Sequence, residues 1–577
     1  MKFIVYDFEV FAYNWLVVFK ELGKEHKIFV DDWEGVKKYF SENTNSVFVG
    51  YNNRHYDDYI LKGILSDLNP KAINDWIIVD EKSGYQFPGI KRIALNSLDL
   101  MIDNVGAVGI SLKEIESNLG MSIEESDIPF DIDRPLTKEE IEKTIKYCKH
   151  DVDATEKLMG VRSDYIKSKL LLLNIFKLPL YTIGLSNAQL TAEIMSPRVK
   201  KYNDGNTYDR PSNVQVKDQE ILDFFKSPLD KTKSLIKMIC GVEHKIAFGG
   251  LHGATEKAHY KGNIFNFDVA SYYPSLILVY NFLCRGCGGL EKYRYIYTQR
   301  LEWKKAKDSR ANAFKLVLNT LFGAMGYKFN KLFDEKQVNQ ICITGQLFLI
   351  DLLEKLKPYI TLIQSNTDGI MFQTEHIEEC REIIKEWETR TGMTMEEDSI
   401  AEVFQKDVNN YFIVNNDGTI KSKGAYVKNF TVGKDKNGNL VEKYGNYVSN
   451  SMTIVDEAVV KYLAYKIPVE DTINSCNDAI RYQITTKKGP TYIRVEHEVD
   501  GKYVITNNVN RVFATSDARY GKLFKIKQNG RKDTIGGLPE HCLVYNKNVT
   551  TFDISQLDKG WYIEEAKRRV VEMVGGE

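Results

Sequence analysis

Residues 2–10 read Lys-Phe-Ile-Val-Tyr-Asp-Phe-Glu-Val, a β-rich run at the start of the chain. In a strand, Asp7 and Glu9 stand two apart and project from one face. Neighbouring carboxylates repel unless a cation lies between them. Phe3, Val5, Phe8 and Val10 surround the pair with apolar side chains, which a solvated strand face would not need. The pair therefore reads as a metal site.

Other segments deliver polar groups from apolar frames in the same way. A second apolar strand, Val47-Phe-Val-Gly50, runs into Tyr51-Asn-Asn53-Arg-His-Tyr56-Asp57-Asp58. The stretch 138–159 has helical composition and sets Tyr147 and Asp151 four apart on one face. Asn263-Ile-Phe-Asn-Phe-Asp268-Val269-Ala-Ser271-Tyr272-Tyr273-Pro-Ser275 is an apolar strand ending on one Asp, with a turn behind it. Residues 293–318 hold many Lys, Arg and Ala and few breakers, so they read as helix. Arg300 and Lys304 share a face there. Gln364-Ser-Asn366-Thr-Asp368-Gly369 sits between Ile363 and Ile370-Met-Phe372, as a tight hairpin would.

With 577 residues, the chain is too long for one core, so two or more domains are expected. Lys plus Arg (78) almost cancels Asp plus Glu (79), for a net charge of −1. Any nucleic-acid contact must come from a local basic groove. The eight Cys are scattered, which suits free thiols in a reducing compartment. Cys284 and Cys287 read as small residues at a turn rather than a zinc or redox pair. Asp7 stands where a signal peptide needs an apolar run, and the apolar stretch Leu170–Leu180 is broken by Asn174, Lys177 and Pro179. No membrane association is expected, and the location implied is cytoplasmic.

Taken in order, the first three segments resemble the motifs of DEDDy 3′→5′ exonuclease domains. Asp7 and Glu9 match D-x-E, Asn53 with Tyr56-Asp57 matches N-x-x-F/Y-D, and Tyr147 with Asp151 matches Y-x-x-x-D. Asp58 is the rival for Asp57, with a helix start as its other role. Ser111-Leu112 with Ile115 resembles a single-strand-binding motif of these domains, and a helix N-cap at Ser111 explains it equally. The later segments resemble family B DNA polymerases, compact and phage-like in type. The Asp268 string is similar to motif A, with Tyr272 for Leu. Lys315, Asn319, Thr320, Phe322 and Gly323 are similar to motif B, with Thr320 for Ser and Phe322 for Tyr. The Asp368 hairpin is similar to motif C, with Asn366 for the first Asp and Gly369 for Ser. Gly249-Gly250 follows Ala247 where the family has Tyr, and Lys423 to Tyr426 is one residue longer than the family's K-x-Y.

The resemblance implies an α/β plus α+β fold, an RNase-H-like exonuclease domain followed by a palm/fingers/thumb polymerase core. The boundaries expected are 1–185 exonuclease, 186–245 connector, 246–285 palm, 286–327 fingers, 328–450 palm again, and 451–577 thumb and C-terminal region. It implies DNA-directed DNA synthesis with proofreading, using two Mg²⁺ per active site, with Mn²⁺ as a substitute. Asp7, Glu9, Asp57 and Asp151 would hold metal in one site, with Tyr147 orienting a water. Asp268, the Val269 carbonyl and Asp368 would hold it in the other. Tyr273, Arg300, Lys304, Lys315, Asn319 and Phe322 would bind the nucleotide. Asn53, Tyr56, Ser111, Leu112, Gly249, Gly250, Lys423 and Tyr426 would touch DNA. The partners implied are a primer-template and dNTPs, with a helicase or single-strand-binding protein besides. Only 47 positions separate Asp268 from Lys315 and 45 separate Gly323 from Asp368. That leaves no room for the two insertions of protein-primed relatives, so no terminal protein is expected. Two alternatives stay open: an exonuclease with an impaired polymerase core, and a non-catalytic DNA-binding protein.

Overall fold

The computed structural model describes residues 1–102 and 109–575. The chain divides into two compact units. One comprises 1–186, 446–451 and 477–558, and the other 187–445, 452–476 and 559–577.

The first unit is built on β1 (Phe3–Val10), β2 (Trp15–Glu21), β3 (His26–Val30), β4 (Val47–Gly50) and β5 (Ser97–Asp99). They lie in the order β3-β2-β1-β4-β5. The first three are antiparallel, and β4 and β5 run parallel to β1 and to each other in turn. This is the strand order and direction expected of an RNase-H-like sheet. Ile4, Val5, Tyr6, Phe8 and Val10 of β1 are all buried, so the central strand is covered on both faces. The helix Lys138–Val161 packs across β1 and β2. It opens on a capping box, in which Thr137 and Glu140 exchange hydrogen bonds.

The second unit carries one long sheet. Its strands are β6 (Leu235–Ile239), β7 (Val242–Ala247), β8 (Gly250–Ala254), β9 (Ala258–Val269), β10 (Thr361–Asn366), β11 (Gly369–Gln373), β12 (Met395–Asp407), β13 (Asn410–Asn415), β14 (Ile420–Lys423), β15 (Phe430–Lys434) and β16 (Leu440–Tyr444). The order is β16-β15-β14-β13-β12-β9-β11-β10-β8-β7-β6, which brings β9 beside the β10–β11 hairpin. The helices Glu291–Lys305 and Arg310–Gly326 pack on each other through Phe314, whose ring centroid lies 4.7 Å from that of Trp303. A short turn joins them, as in an αα-hairpin.

Two boundaries differ from the sequence expectation. The end of the 186–245 connector forms β6 and most of β7, the outer strands of the long sheet. Their tight turn is made by Cys240 and Gly241, with φ of 51° and 79°, as a two-residue hairpin requires. The region 451–577 is also not one body. The helices Thr453–Tyr465, Val469–Ser475 and Lys559–Val574 belong to the second unit, where Arg569 donates to the buried Asp456 at 2.7 Å. Residues 477–558 leave that bundle and belong to the first unit. They form β17 (Ile484–Lys487), β18 (Arg494–Val499), β19 (Lys502–Thr506), β20 (Val509–Ala514), β21 (Tyr520–Ile526), β22 (Lys532–Thr534) and β23 (Cys542–Val544), in two small antiparallel sheets. Among the described residues, no helix is long and apolar enough to cross a membrane.

Candidate active sites

In the first unit, a cavity of about 540 Å³ opens at the end of β1. Asp7, Glu9, Tyr56, Asp57, Tyr147 and Asp151 all line it. Period-two geometry sends Asp7 and Glu9 to one face of β1. Asp57 begins the helix Asp57–Ile64 and accepts the Phe8 amide at 3.0 Å. Tyr147 and Asp151 come from one face of the long helix.

Crowding these acids in a poorly hydrated space raises their affinity for protons. Burial, then Asp151, pushes Asp7 up to about 8. Burial, then Asp7, Asp151 and Asp57, raises Glu9. Burial and Asp7 raise Asp57 as well, and burial takes Asp151 up to about 6 against the pull of Lys113. Such a set ionises readily only when a cation joins it, and its oxygen donors suit a hard divalent ion. The Cys148 thiol lies within 4.8 Å of the Asp7 and Glu9 ligand atoms. Burial, followed by the charges of Asp7 and Glu9, raises its pKa, so it stays protonated and packs against the cluster.

Several sequence assignments change here. Asp58 does not face the cavity. It accepts from Tyr6, from Asn53 at 3.1 Å and from Ser97 at 2.9 Å. Asn53, expected to touch DNA, is fully buried in that network and positions Asp58 instead. Ser111 is a helix cap: its hydroxyl accepts the Glu114 amide at 3.2 Å, while Glu114 takes the Ser111 amide at 3.0 Å. Leu112 is the first residue of that helix, Leu112–Asn118, and neither residue lines the cavity. Tyr56 does line it, with its hydroxyl donated to Asn74 at 2.8 Å.

Lys113 went unread in the sequence. Its ammonium donates to the Asp151 carboxylate and to Glu116, the latter at 3.0 Å, and lies 4.7 Å from the Tyr147 ring centroid. Burial works against its charge, but Asp151 and Glu116 more than restore it. No local pattern around Ser111-Leu112-Lys113 signals an Asp 38 residues away.

The second unit has a cavity of about 390 Å³, walled in part by Asp268, Asn366, Asp368, Tyr411, Lys421 and Lys423. Asp268 pairs with Gly369 across β9 and β11, and the Val269 amide donates to the Asp368 carbonyl at 2.8 Å. The hairpin turn is thereby fixed beside the end of β9. Both carboxylates remain exposed on their outer side. The cavity walls still raise both, Asp268 further through Asp368, while Lys423 pulls Asp368 back down. Asn266 donates to Asp268 at 2.7 Å.

The departures from motif C have local reasons. A Cβ on Gly369 would lie 1.8 Å from Asp268 Oδ1, so any larger residue must displace that carboxylate. Asn366 lies beside the Tyr411 phenol, which bonds Gln364 and Asn366. Asp398 lies on β12 opposite Asn266, and its charge helps to raise Asp268. It is a further acid at the rim that motif reading missed.

Around this cavity, Lys423 sits opposite Tyr411 in the β13–β14 pair, despite its longer spacing to Tyr426. Tyr426 does not line the cavity; it donates to Glu572 at 2.5 Å and receives Lys406 at 2.7 Å. Its hydroxyl is committed within the fold, a correction to the expected DNA contact. Gly249 is in the β7–β8 turn, and a Cβ on Gly250 would lie 3.3 Å from Thr367 of the Asp368 hairpin. Tyr273 stacks on Phe322 with centroids 4.2 Å apart. Arg300 donates to Ser271 at 3.0 Å, and Lys304 lies 3.7 Å from Glu396. Lys315 and Asn319 are exposed on one face of Arg310–Gly326. These four polar residues lie outside the wall of the cavity.

Residues 101–282 match the family described as DNA polymerase type B, organellar and viral. That stretch includes Asp151 of the first cavity and Asp268 of the second. No curated protein matches the chain. Among solved structures, the chain is similar to the family B DNA polymerase of the hyperthermophilic archaeon Pyrobaculum calidifontis, at 13% identity with a TM-score of 0.42, over 99% of this chain and 78% of that one.

Proposed function

We infer that this chain is a family B DNA polymerase whose first unit is a 3′→5′ proofreading exonuclease. The observation that carries the reading is the pair of carboxylate clusters, each facing its own cavity in its own compact unit. The matched family segment links them. A protein that merely bound DNA would gain nothing by turning clustered acids toward phosphates.

In the exonuclease site, Asp7, Glu9, Asp57 and Asp151 would hold the divalent ions. In the polymerase site, Asp268, Asp368 and the Val269 carbonyl would do so. Bound there, Mg²⁺ or Mn²⁺ supplies Lewis acidity toward the phosphate and makes a water or a primer hydroxyl nucleophilic.

The chain's own groups do the rest. Tyr147 orients the attacking water, and its raised pKa, caused chiefly by burial and Asp151, keeps the phenol protonated as a donor. Lys113 holds the Asp151 carboxylate charged and aimed. In the second unit, the Tyr273–Phe322 stack forms an apolar floor for the nucleotide sugar. Arg300, Lys304 and Lys315 offset the triphosphate's charge, and Asn319 adds a polar contact. Lys423 and Tyr411 reach the primer side of the Asp368 hairpin. DNA and dNTPs are the substrates, and an ordinary nucleic-acid primer suffices.

The test is a labelled primer-template, with and without dNTPs. Asp268→Ala or Asp368→Ala should cut extension by at least about 10³ and spare degradation of single strands. Asp7→Ala with Asp57→Ala should do the reverse. Loss of both activities from either change, in folded protein, would refute two independent sites.

A further inference from the structure

The short helix that carries Lys113 is held in place from far along the chain. Its C-terminal end leaves backbone carbonyls without partners inside the helix, as every helix end does. Two of the carbonyls at and beyond that end, Ser117 and Met121, accept from Arg511 at 3.1 and 2.8 Å. The same guanidinium donates to Gln483 at 2.7 Å and to the Lys547 carbonyl at 2.6 Å. Around it, the Ile123 amide donates to Asn546 at 2.7 Å and the Val549 amide to Gly120 at 3.0 Å. At the other end of the helix, Lys487 pairs with Glu114 at 3.0 Å.

Arg511 is fully buried and, among the described residues, has no carboxylate in direct contact. An unpaired buried charge is costly, and burial accordingly lowers its pKa to about 10. Four oriented acceptors offset that cost. Only a planar fork with five N–H donors serves acceptors spread over three segments at once. Glu116, also fully buried, lies on this helix one turn after Lys113 and bonds it at 3.0 Å. Lys113 in turn bonds Asp151. A continuous set of contacts therefore runs from Arg511 through the helix end to the acid expected to hold metal.

We propose that Arg511 is a positioning residue of the exonuclease site, fixing the helix Leu112–Asn118 so that Lys113 holds the Asp151 carboxylate. The β-rich segment 477–558, expected within the thumb and C-terminal region, is then a working part of the exonuclease. The proposal rests on the exonuclease reading above.

The experiment uses the full chain with Arg511→Gln and Arg511→Lys. Single-strand degradation is measured over a range of strand concentrations, and primer extension and melting are followed on the same preparations. Arg511→Gln should lower kcat for degradation about ten- to a hundredfold, as loss of a group supporting a metal ligand does, with KM and extension within about twofold. Arg511→Lys, which keeps the charge and some donors, should recover part of the loss. A wild-type kcat in folded Arg511→Gln overturns the proposal. So does a rise in KM alone, which would make Arg511 a strand-binding group. So does a parallel fall in both activities, which marks a general structural role. If Arg511→Gln does not fold, Gln483→Leu removes one acceptor of Arg511, along with the Gln483 donation to the Asn450 carbonyl; a fall in kcat at constant KM then supports the proposal, and no fall overturns it. Wild-type protein that leaves single strands intact removes the exonuclease reading itself, and is seen before any variant is made.

Discussion

The two carboxylate sites solve one electrostatic problem in opposite ways. In the first unit the acids lie among Phe8, Val10 and Tyr147, are pushed toward protonation, and have the Lys113 ammonium bonded to Asp151. In the second unit Asp268 and Asp368 stand at strand ends and are exposed, and Lys421 and Lys423 line the same cavity. A buried cluster selects its cation by cost: without one it cannot be fully charged. An open pair relies on water to carry its charge when it is free.

Lys113 gives the sharpest way to break this contrast. Lys113→Met should lower single-strand degradation by about 10²-fold, by freeing Asp151 from the ammonium that bonds it, and leave extension untouched. Unchanged degradation would mean that the buried cluster needs no internal cation. Next in size, Tyr273→Val should cost ten- to a hundredfold, roughly, in discrimination against ribonucleotides. The readout is incorporation of rNTP against dNTP, and unchanged rejection would move the sugar floor to Tyr272. Smaller still, Asn366→Ala should slow extension by about tenfold or less, because a neutral amide beside Tyr411 shapes the open site without holding charge. A loss equal to that of Asp368→Ala would show that the open site depends on this amide as much as on its acids.

The smallest effect is on stability. Asp7 is raised to about 8 in the folded chain, above its ordinary value when unfolded. Such a group favours folding at low pH, and that contribution is lost as pH rises through about 8. Asp7→Asn should therefore raise the melting temperature by roughly 2 °C at pH near 9 in chelator. It should do little at pH 4, and lower the melting temperature when Mg²⁺ is present. A gain that persists in Mg²⁺ would mean that Asp7 holds no metal.

Much of the architecture was legible because it rests on short-range periodicity. Alternation placed Asp7 and Glu9 on one face, and the i,i+4 relation placed Tyr147 over Asp151. The β10–β11 hairpin followed from its flanking apolar runs. What failed to show involves partners distant in sequence. Asp57 and Asp58 are neighbours at a helix start, and only the Phe8 amide and the Tyr6–Asn53–Ser97 network separate their roles. Asn53 was assigned to DNA through its match to the N-x-x-F/Y-D motif, which carries no sign of its burial. The alternating burial of β7 could have been read from Val242, Glu243, Lys245 and Ile246, whereas β6 turns the apolar Ile236 and Met238 outward and offers no such alternation. Lys113 and Arg511 act across the fold, and no local signal marks them.

The excursion of residues 477–558 has a consequence for how the protein comes into being. The chain leaves the second unit after Val469–Ser475, completes the first unit, and returns as Lys559–Val574 to place Arg569 against Asp456. On a ribosome, which releases a chain in order, the amino-terminal sheet therefore emerges hundreds of residues before the segment that finishes its unit. Asp456, buried and pushed up to about 7 mainly by that burial, likewise waits for Arg569. The first unit is therefore completed only once residues 477–558 have emerged, and the second only once the segment from Lys559 has followed them.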